Sequence, residues 1–378
     1  MTNGIKKTRA VGISPARSVV LDLTRFALAI IVTIAHLSQR YFQEGWPVLT
    51  DFGVFAVGGF FVLSGFTIRG MSSSHDRDFN GRKFLIDRVS RLLSVSLLAV
   101  VLTLVLDACS YHFGQDFYLK NWGHHLSDPL ARIFLNTILV NQFYGSDWSL
   151  FSNSPFWSLG YELGFYCTWA AWLGIRGGVR GWLIFLGTLV FFGPNILALM
   201  PLWLMGVALY SILNQPQRFK IIAGAGCIIL LLVIAKLHGF GGVMHDAMLF
   251  NEKLKAGFST IGVGIGSVSA NICVGAGAFF LVMCPLLVVV GQLEHRIKIN
   301  PALVAMARKM GELTVPLYLI QFPLFVLLRS LNVYALHSTP QKFMLLMLAC
   351  VVAAWMVPLG DKIKVLLRSV SAKPEISR

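Results

Sequence analysis

Apolar runs of about twenty residues recur from one end of this chain to the other, separated by short polar breaks, and they constrain its fold more than any other feature. A helix rises 1.5 Å per residue, so about 20 apolar residues cross a hydrocarbon core of ~30 Å. Such runs lie at 18–38, 52–71, 90–108, 156–174, 181–193, 195–213, 219–238, 266–291, 313–331 and 343–361. Backbone groups find no water in the bilayer, so each run must satisfy its own hydrogen bonds as a helix. The expected fold is an all-α polytopic membrane protein of about ten transmembrane helices. In 378 residues these runs leave only short loops and no room for a large soluble domain.

Charge agrees with this expectation. Only 13% of residues are charged and 56% are hydrophobic, where soluble domains carry about 25% charged residues. A net charge of +15 would suggest nucleic acid in a soluble protein. Here it reads as positive-inside bias and affinity for anionic headgroups, so the bilayer is the partner and nucleic acid is not. An eleventh apolar run, 129–145, is shorter and interrupted by Arg132, Asn136 and Asn141. If it does not cross and the N-terminus is cytoplasmic, cytoplasmic segments hold 23 Lys+Arg and outer segments 8. Making it a span would put the basic 292–310 loop outside. The reading is therefore ten crossings with both termini cytoplasmic. Segment 129–145 becomes a re-entrant or surface element that walls a cavity.

Residues 1–17 and 362–378 read as cytoplasmic basic tails around a membrane domain at 18–361. The first run is span-length and lacks a clear small-residue cleavage site, so it is expected to stay as an anchor. Six cysteines lie mostly within apolar runs with no CxxC pair and read as small buried hydrophobes. The Gly-rich 257–277 run has no βαβ context and reads as close helix packing. The outer loop at 107–128 holds His112, Asp116, His124 and His125 at spacings that match no established metal site, and no metal is expected. His238 and His245 flank a span end and read as interfacial.

Ionisable side chains inside spans cost roughly 2.5 kcal/mol or more, which makes each a candidate functional residue. Arg25 and His36 lie in the first run, eleven residues apart. That is three turns plus roughly 20°, so both leave one helix face about 16 Å apart. Snorkelling of Arg25 and a wet rim position for His36 remain the alternative. Asp22, three residues before Arg25, can pair with it. The second run ends with Ser64-Gly65 and, at the boundary, Arg69. Arg88 and Arg91 share a helix side ahead of the third span, where two guanidinium forks suit phosphate, on a ligand or on lipid. Glu162 opens the fourth crossing amid Trp157, Tyr161, Phe165 and Tyr166. On this topology Glu162 and His36 sit at one depth, and a carboxylate beside an imidazole makes a general base.

These pieces, in order, are Arg25-x10-His36, FFVLSGF (60–66), FLIDRVSRL (84–92), FWSLGYELGFY (156–166) and LTVPLYLIQFPL (313–324). The chain resembles the acyltransferase-3 family of integral membrane acyltransferases, which includes O-antigen and nodulation-factor O-acetylases. The resemblance implies transfer of an acyl group, usually acetyl, from cytoplasmic acyl-CoA to a saccharide hydroxyl outside a bacterial plasma (inner) membrane. Acyl-CoA is then a donor substrate, with no permanently bound cofactor. Polysaccharide-biosynthesis proteins are candidate partners.

By the same resemblance His36 is the catalytic histidine, Arg25 its companion, and Glu162 the acid of the WSL-x-x-E element. Arg88 and Arg91 handle the donor, with Arg69 and Ser64 beside them. Trp157, Tyr161 and Gln321 are expected at the acceptor. Gln321 stands where the family usually carries histidine; it can bond a sugar but not shuttle a proton at neutral pH. Asp87, Ser94 and Gly58 also depart from the common pattern. Two other classes fit the buried charges: a transporter or flippase of a saccharide or lipid-linked intermediate, and a non-catalytic scaffold. A transporter would keep working in His36→Ala and Glu162→Ala, and a scaffold would tolerate alanine at Arg25, His36 and Glu162 alike.

Overall fold

A computed structural model describes residues 14–42, 49–73, 79–143, 148–175, 178–237, 239–260, 270–294, 296, 299–333 and 338–371. Most of the 1–17 tail, residues 372–378, His238 and the centre of the Gly-rich run lie outside the described residues. The described chain is built of helices: α1 (Pro15–Leu37), α2 (Thr50–Ser73), α3 (Gly81–Phe113), α4 (Gln115–Trp122), α5 (Pro129–Thr137), α6 (Trp157–Gly174), α7 (Val179–Leu213), α8 (Gln217–Leu237), α9 (Gly239–Thr260), α10 (Ala270–Leu293), α11 (Pro301–Ser330) and α12 (Thr339–Ser371). Among the described residues, eight helices have the length and composition to cross a membrane. The protein is an all-α polytopic membrane protein.

Helix contacts fix the directions. α1 and α2 run antiparallel: a methyl added at Gly53 would lie 2.7 Å from Ala35 Cβ, and one at Gly59 would meet Leu28. α6 runs parallel to α2, with Phe61 against Trp157 and Phe165 (ring centroids 6.3 and 5.3 Å), and Trp169 bonded to Ser72. α11 runs parallel to α1, from Gly311 beside Asp22 to Phe322 beside His36. α12 returns along α3, where Gly360 faces Val95 and Arg368 pairs with Asp87 at 2.9 Å. One end of the bundle therefore gathers Arg17, Arg69, Arg82, Arg88, Arg91 and Arg368, and the described chain enters and leaves there. We call it the basic end, and the other the far end.

α7 is two helices joined at Gly193, whose φ of 74° and ψ of −174° break the helix. Glycine alone takes this positive φ without strain, and Pro194 then starts the next helix, where its missing N–H costs nothing. Gly181 packs on Gly174, both Phe192 and Ile196 flank Gly164, and Trp203 lies on Phe165 and Trp169. The chain thus climbs along α6 from the basic end, reverses at Gly193 and descends again. The two apolar runs read at 181–193 and 195–213 are these two arms.

Small residues set the closest approaches. A methyl at Gly65 would fall 2.0 Å from Trp203 O, and one at Gly206 would fall 1.9 Å from Val62 O. In lipid such backbone-to-backbone packing is the main attraction between helices. α10 joins α2 likewise through Gly275 against Phe55 and Gly58 against Ile272. Residues 239–257, read from sequence as part of an outer loop at 236–257, instead lie in α9; their Met, Leu, Ala, Glu and Lys are good helix formers.

Candidate active site

The short run at 129–145 does not cross the bundle. α5 supplies nine residues, and a buried loop then lies against the start of α6, where Asn141 Oδ1 sits over Gly160. The polar residues that interrupt the run hold it in place. Arg132 donates to the Ser127 and Ser149 carbonyls at 3.0 and 3.1 Å, and Asn136 to those of Arg132 and Trp148. Asn141 donates to Asn136 Oδ1 at 2.9 Å. The following segment is pinned deeper still. Asp107 of α3 accepts from Ser152 N and Oγ at 3.0 and 2.5 Å. Beside it, burial raises the Tyr118 phenol well above its ordinary range and keeps it neutral. Asn153 donates to Thr103 Oγ1 (2.8 Å) and Leu319 O (2.9 Å). Leu319 O is available because Pro323, four residues on, has no N–H to give it.

This pinning starts α6 below the far end and sets the depth of Glu162. Ser64 donates to Glu162 Oε1 at 3.2 Å, and Tyr166 OH, one turn along α6, donates to the same oxygen. Trp203 Nε1 donates to Ser64 Oγ at 3.2 Å. One turn from Ser64, Thr67 takes a hydrogen bond from Arg25, whose Nη1 also pairs with Asp22 at 3.1 Å. Tyr166 lies within electrostatic reach of Arg25, Arg88 and Arg91. Arg88 is half-buried, and its Nε has no hydrogen-bond partner among the described residues. Asp87, which precedes Arg88, pairs with Arg368 rather than with Arg88 or Arg91. The result is one polar cluster across α1, α2, α3, α6 and α7.

His36 lies apart from this cluster, near the far end. Its ring stands edge-on to Phe322, with centroids 5.1 Å apart at 89°. Phe322 is itself packed by Phe42 (5.4 Å) and Trp122 (6.1 Å), so an aromatic cover lies over the imidazole. The Gln321 side chain faces the ring. Among the described residues, Nδ1 of His36 and Oε1 of Gln321 are both buried without a hydrogen-bond partner. Tyr318, one turn below Gln321, meets Ser158 and lies within reach of Glu162, so it stands between the cluster and the imidazole.

Compared with known families, the chain matches the acyltransferase-3 model, an acyltransferase domain, over residues 19–358. The chain belongs to the acyltransferase-3 family. It is therefore a polytopic membrane acyltransferase. Comparisons with curated proteins and with solved structures each found no match.

Against this family framework, the expected pairing of His36 with Glu162 is corrected. Among the described residues no hydrogen bond or ion pair joins them. Ser64 lies eleven residues along α2 from Gly53, which faces Ala35, so Glu162 sits about 16 Å from the His36 level. Sequence placed the start of α6 at the surface, but the anchored 148–156 segment carries it inward. Gln321, not Glu162, faces the imidazole. Trp157 and Tyr161, expected at the acceptor, stack with Phe61 in the core, and Tyr161 is fully buried. The pairing of Arg25 with Asp22 forms as read from their three-residue spacing. Arg69 sits at the basic end of α2. Thr67, Tyr166, Trp203 and Tyr318 were missed as site residues. The i, i+4 spacing of Glu162 and Tyr166 was a usable signal; Trp203 arrives from a distant arm, and nothing local announces it.

Proposed function

We propose that this acyltransferase moves an acyl group, in the first instance acetyl, from acyl-CoA at the basic, cytoplasmic end to a hydroxyl of a saccharide at the far end. The membrane is the bacterial plasma membrane, and the product is an acylated surface glycan or glycolipid. The observation that carries the reading is the His36 site: a buried imidazole nitrogen on the α1 face that also carries Arg25, and a buried amide oxygen of Gln321 on α11, both unpartnered among the described residues. Buried polar atoms left without partners are rare, and a substrate supplies what is missing.

The coenzyme A phosphates are held by Arg88 and Arg91, with Arg69 at the mouth. Arginine suits this because its fork binds phosphate bidentately and keeps its charge. The thioester arm extends past Arg25 and the Ser64–Glu162–Tyr166 cluster toward His36, along a helix face of about 16 Å. Gln321 faces the ring and orients it, its Oε1 open to a hydrogen bond from the acceptor, and the unpartnered Nδ1 of His36 is the base. That nitrogen takes the proton of the acceptor hydroxyl while the oxygen attacks the thioester carbonyl. The C–S bond breaks, the coenzyme A thiolate leaves and recovers the proton from the imidazolium. Arg25 favours the negative charge of the donor.

The test uses the purified protein with labelled acetyl-CoA and candidate saccharides. His36→Ala is expected to lower turnover ~10²–10⁴-fold, the usual worth of a positioned general base. Full turnover in His36→Ala, or saccharide translocation without acylation, contradicts the proposal.

A further inference from the structure

Outside this site, α3, α6 and the rising arm of α7 leave an apolar groove of about 710 Å³. Its floor is the α6 face of Leu163, Cys167 and Ala170, and its wall is Gly187 and Phe191 of α7. Val140 and Phe192 close it in mid-bundle, while Gly81 and Arg82 stand at its basic end. Along α6 it runs from Leu163 to Gly174, eleven residues or about 16 Å. That is half of a ~30 Å hydrocarbon core, the depth of one leaflet. A crossing helix of a partner protein needs the whole core, so this groove is too short for one.

Arg82 is the one charged residue among those lining it, and it is exposed at the mouth. An open apolar groove with a single cation at its mouth has the polarity of an anionic amphiphile. We infer that the groove seats one hydrocarbon chain of an anionic phospholipid from the leaflet at the basic end, its phosphate against Arg82. Leu163 and Cys167 directly follow Glu162 and Tyr166, so the lipid chain backs the helix turn that presents those two residues.

Gly174 and Gly187 both face open space, with no atom within 4 Å of an added methyl. Leucine at either position puts its Cβ in open space and its side chain into the groove, and it suits a helix better than glycine. The experiment adds phosphatidylglycerol or phosphatidylcholine of matched chains to the delipidated full-length protein. Native mass spectrometry then reads bound lipid, and Tm is followed in parallel. Phosphatidylglycerol is expected to remain bound and raise Tm, and phosphatidylcholine to do so weakly. Gly187→Leu and, separately, Gly174→Leu lose the bound lipid and the shift while keeping the Tm of the delipidated protein. Arg82→Gln keeps the chain and loses the preference for phosphatidylglycerol; if one glycine variant fails to fold, this and the other carry the test. Unchanged binding in the folded variants, equal binding of both lipids, or displacement by long-chain acyl-CoA overturns the inference.

Discussion

At the scale of single residues, the partner of His36 decides how the chemistry is read. A neutral amide orients an imidazole without adding a charge, whereas a carboxylate both orients it and favours its protonated form. With Gln321 as the partner, Gln321→Leu should lower kcat about 10–100-fold, the scale at which loss of one outer-shell partner acts, with the KM for acyl-CoA unchanged. Steady-state kinetics with each substrate varied checks this. Glu162→Gln should instead raise the KM for acyl-CoA and leave the pH dependence of kcat where it was, since its carboxylate holds Ser64 and Tyr166. A shifted pH profile would return Glu162 to the imidazole. The identities of His36, Arg25 and Glu162 as buried ionisable groups were legible in sequence, because such groups stand out in apolar runs. Their mutual distance was not, because depth depends on where a helix begins, and Asn153 and Asp107 fix that by contacts about 170 and 45 residues away in sequence (Leu319 and Ser152).

At the scale of elements, glycine contacts and the anchored segment carry the architecture. Gly65→Ala and Gly206→Ala push a methyl into a carbonyl of the neighbouring helix. Overpacking of this kind costs about 1–3 kcal/mol, so both variants should lower Tm. Gly226→Ala on α8 meets open space and should leave Tm unchanged or slightly raised, since alanine favours a helix by up to about 1 kcal/mol. Asn153→Ala removes two buried hydrogen bonds, worth about 1 kcal/mol each net, and strands the Leu319 carbonyl. It should lower Tm and also raise the KM for acyl-CoA, because the α6 register moves with it. The helices themselves were legible from hydropathy, as was the break between 193 and 195, where Gly-Pro ends one run and starts another. The helical state of 239–260 was not, because its mixed polarity gives no span-like signal and its position ahead of α10 suggested a loop.

Over the whole molecule, an arginine-rich polar cluster lies toward the basic end and the buried His36–Gln321 pair toward the far end. Tyr318 stands between them. The excess of Lys and Arg at one end, legible as 23 against 8 from sequence, gives the molecule its polarity, and the proposed function assigns donor and acceptor to opposite faces. Sealed vesicles that contain the protein in one orientation test this most directly. Labelled acetyl-CoA is supplied only at the basic end and a saccharide acceptor only at the far end. The account predicts acylated saccharide in the far compartment, coenzyme A in the donor compartment, and neither with His36→Ala. Product that forms only when donor and acceptor share a compartment, or that persists without His36, contradicts it.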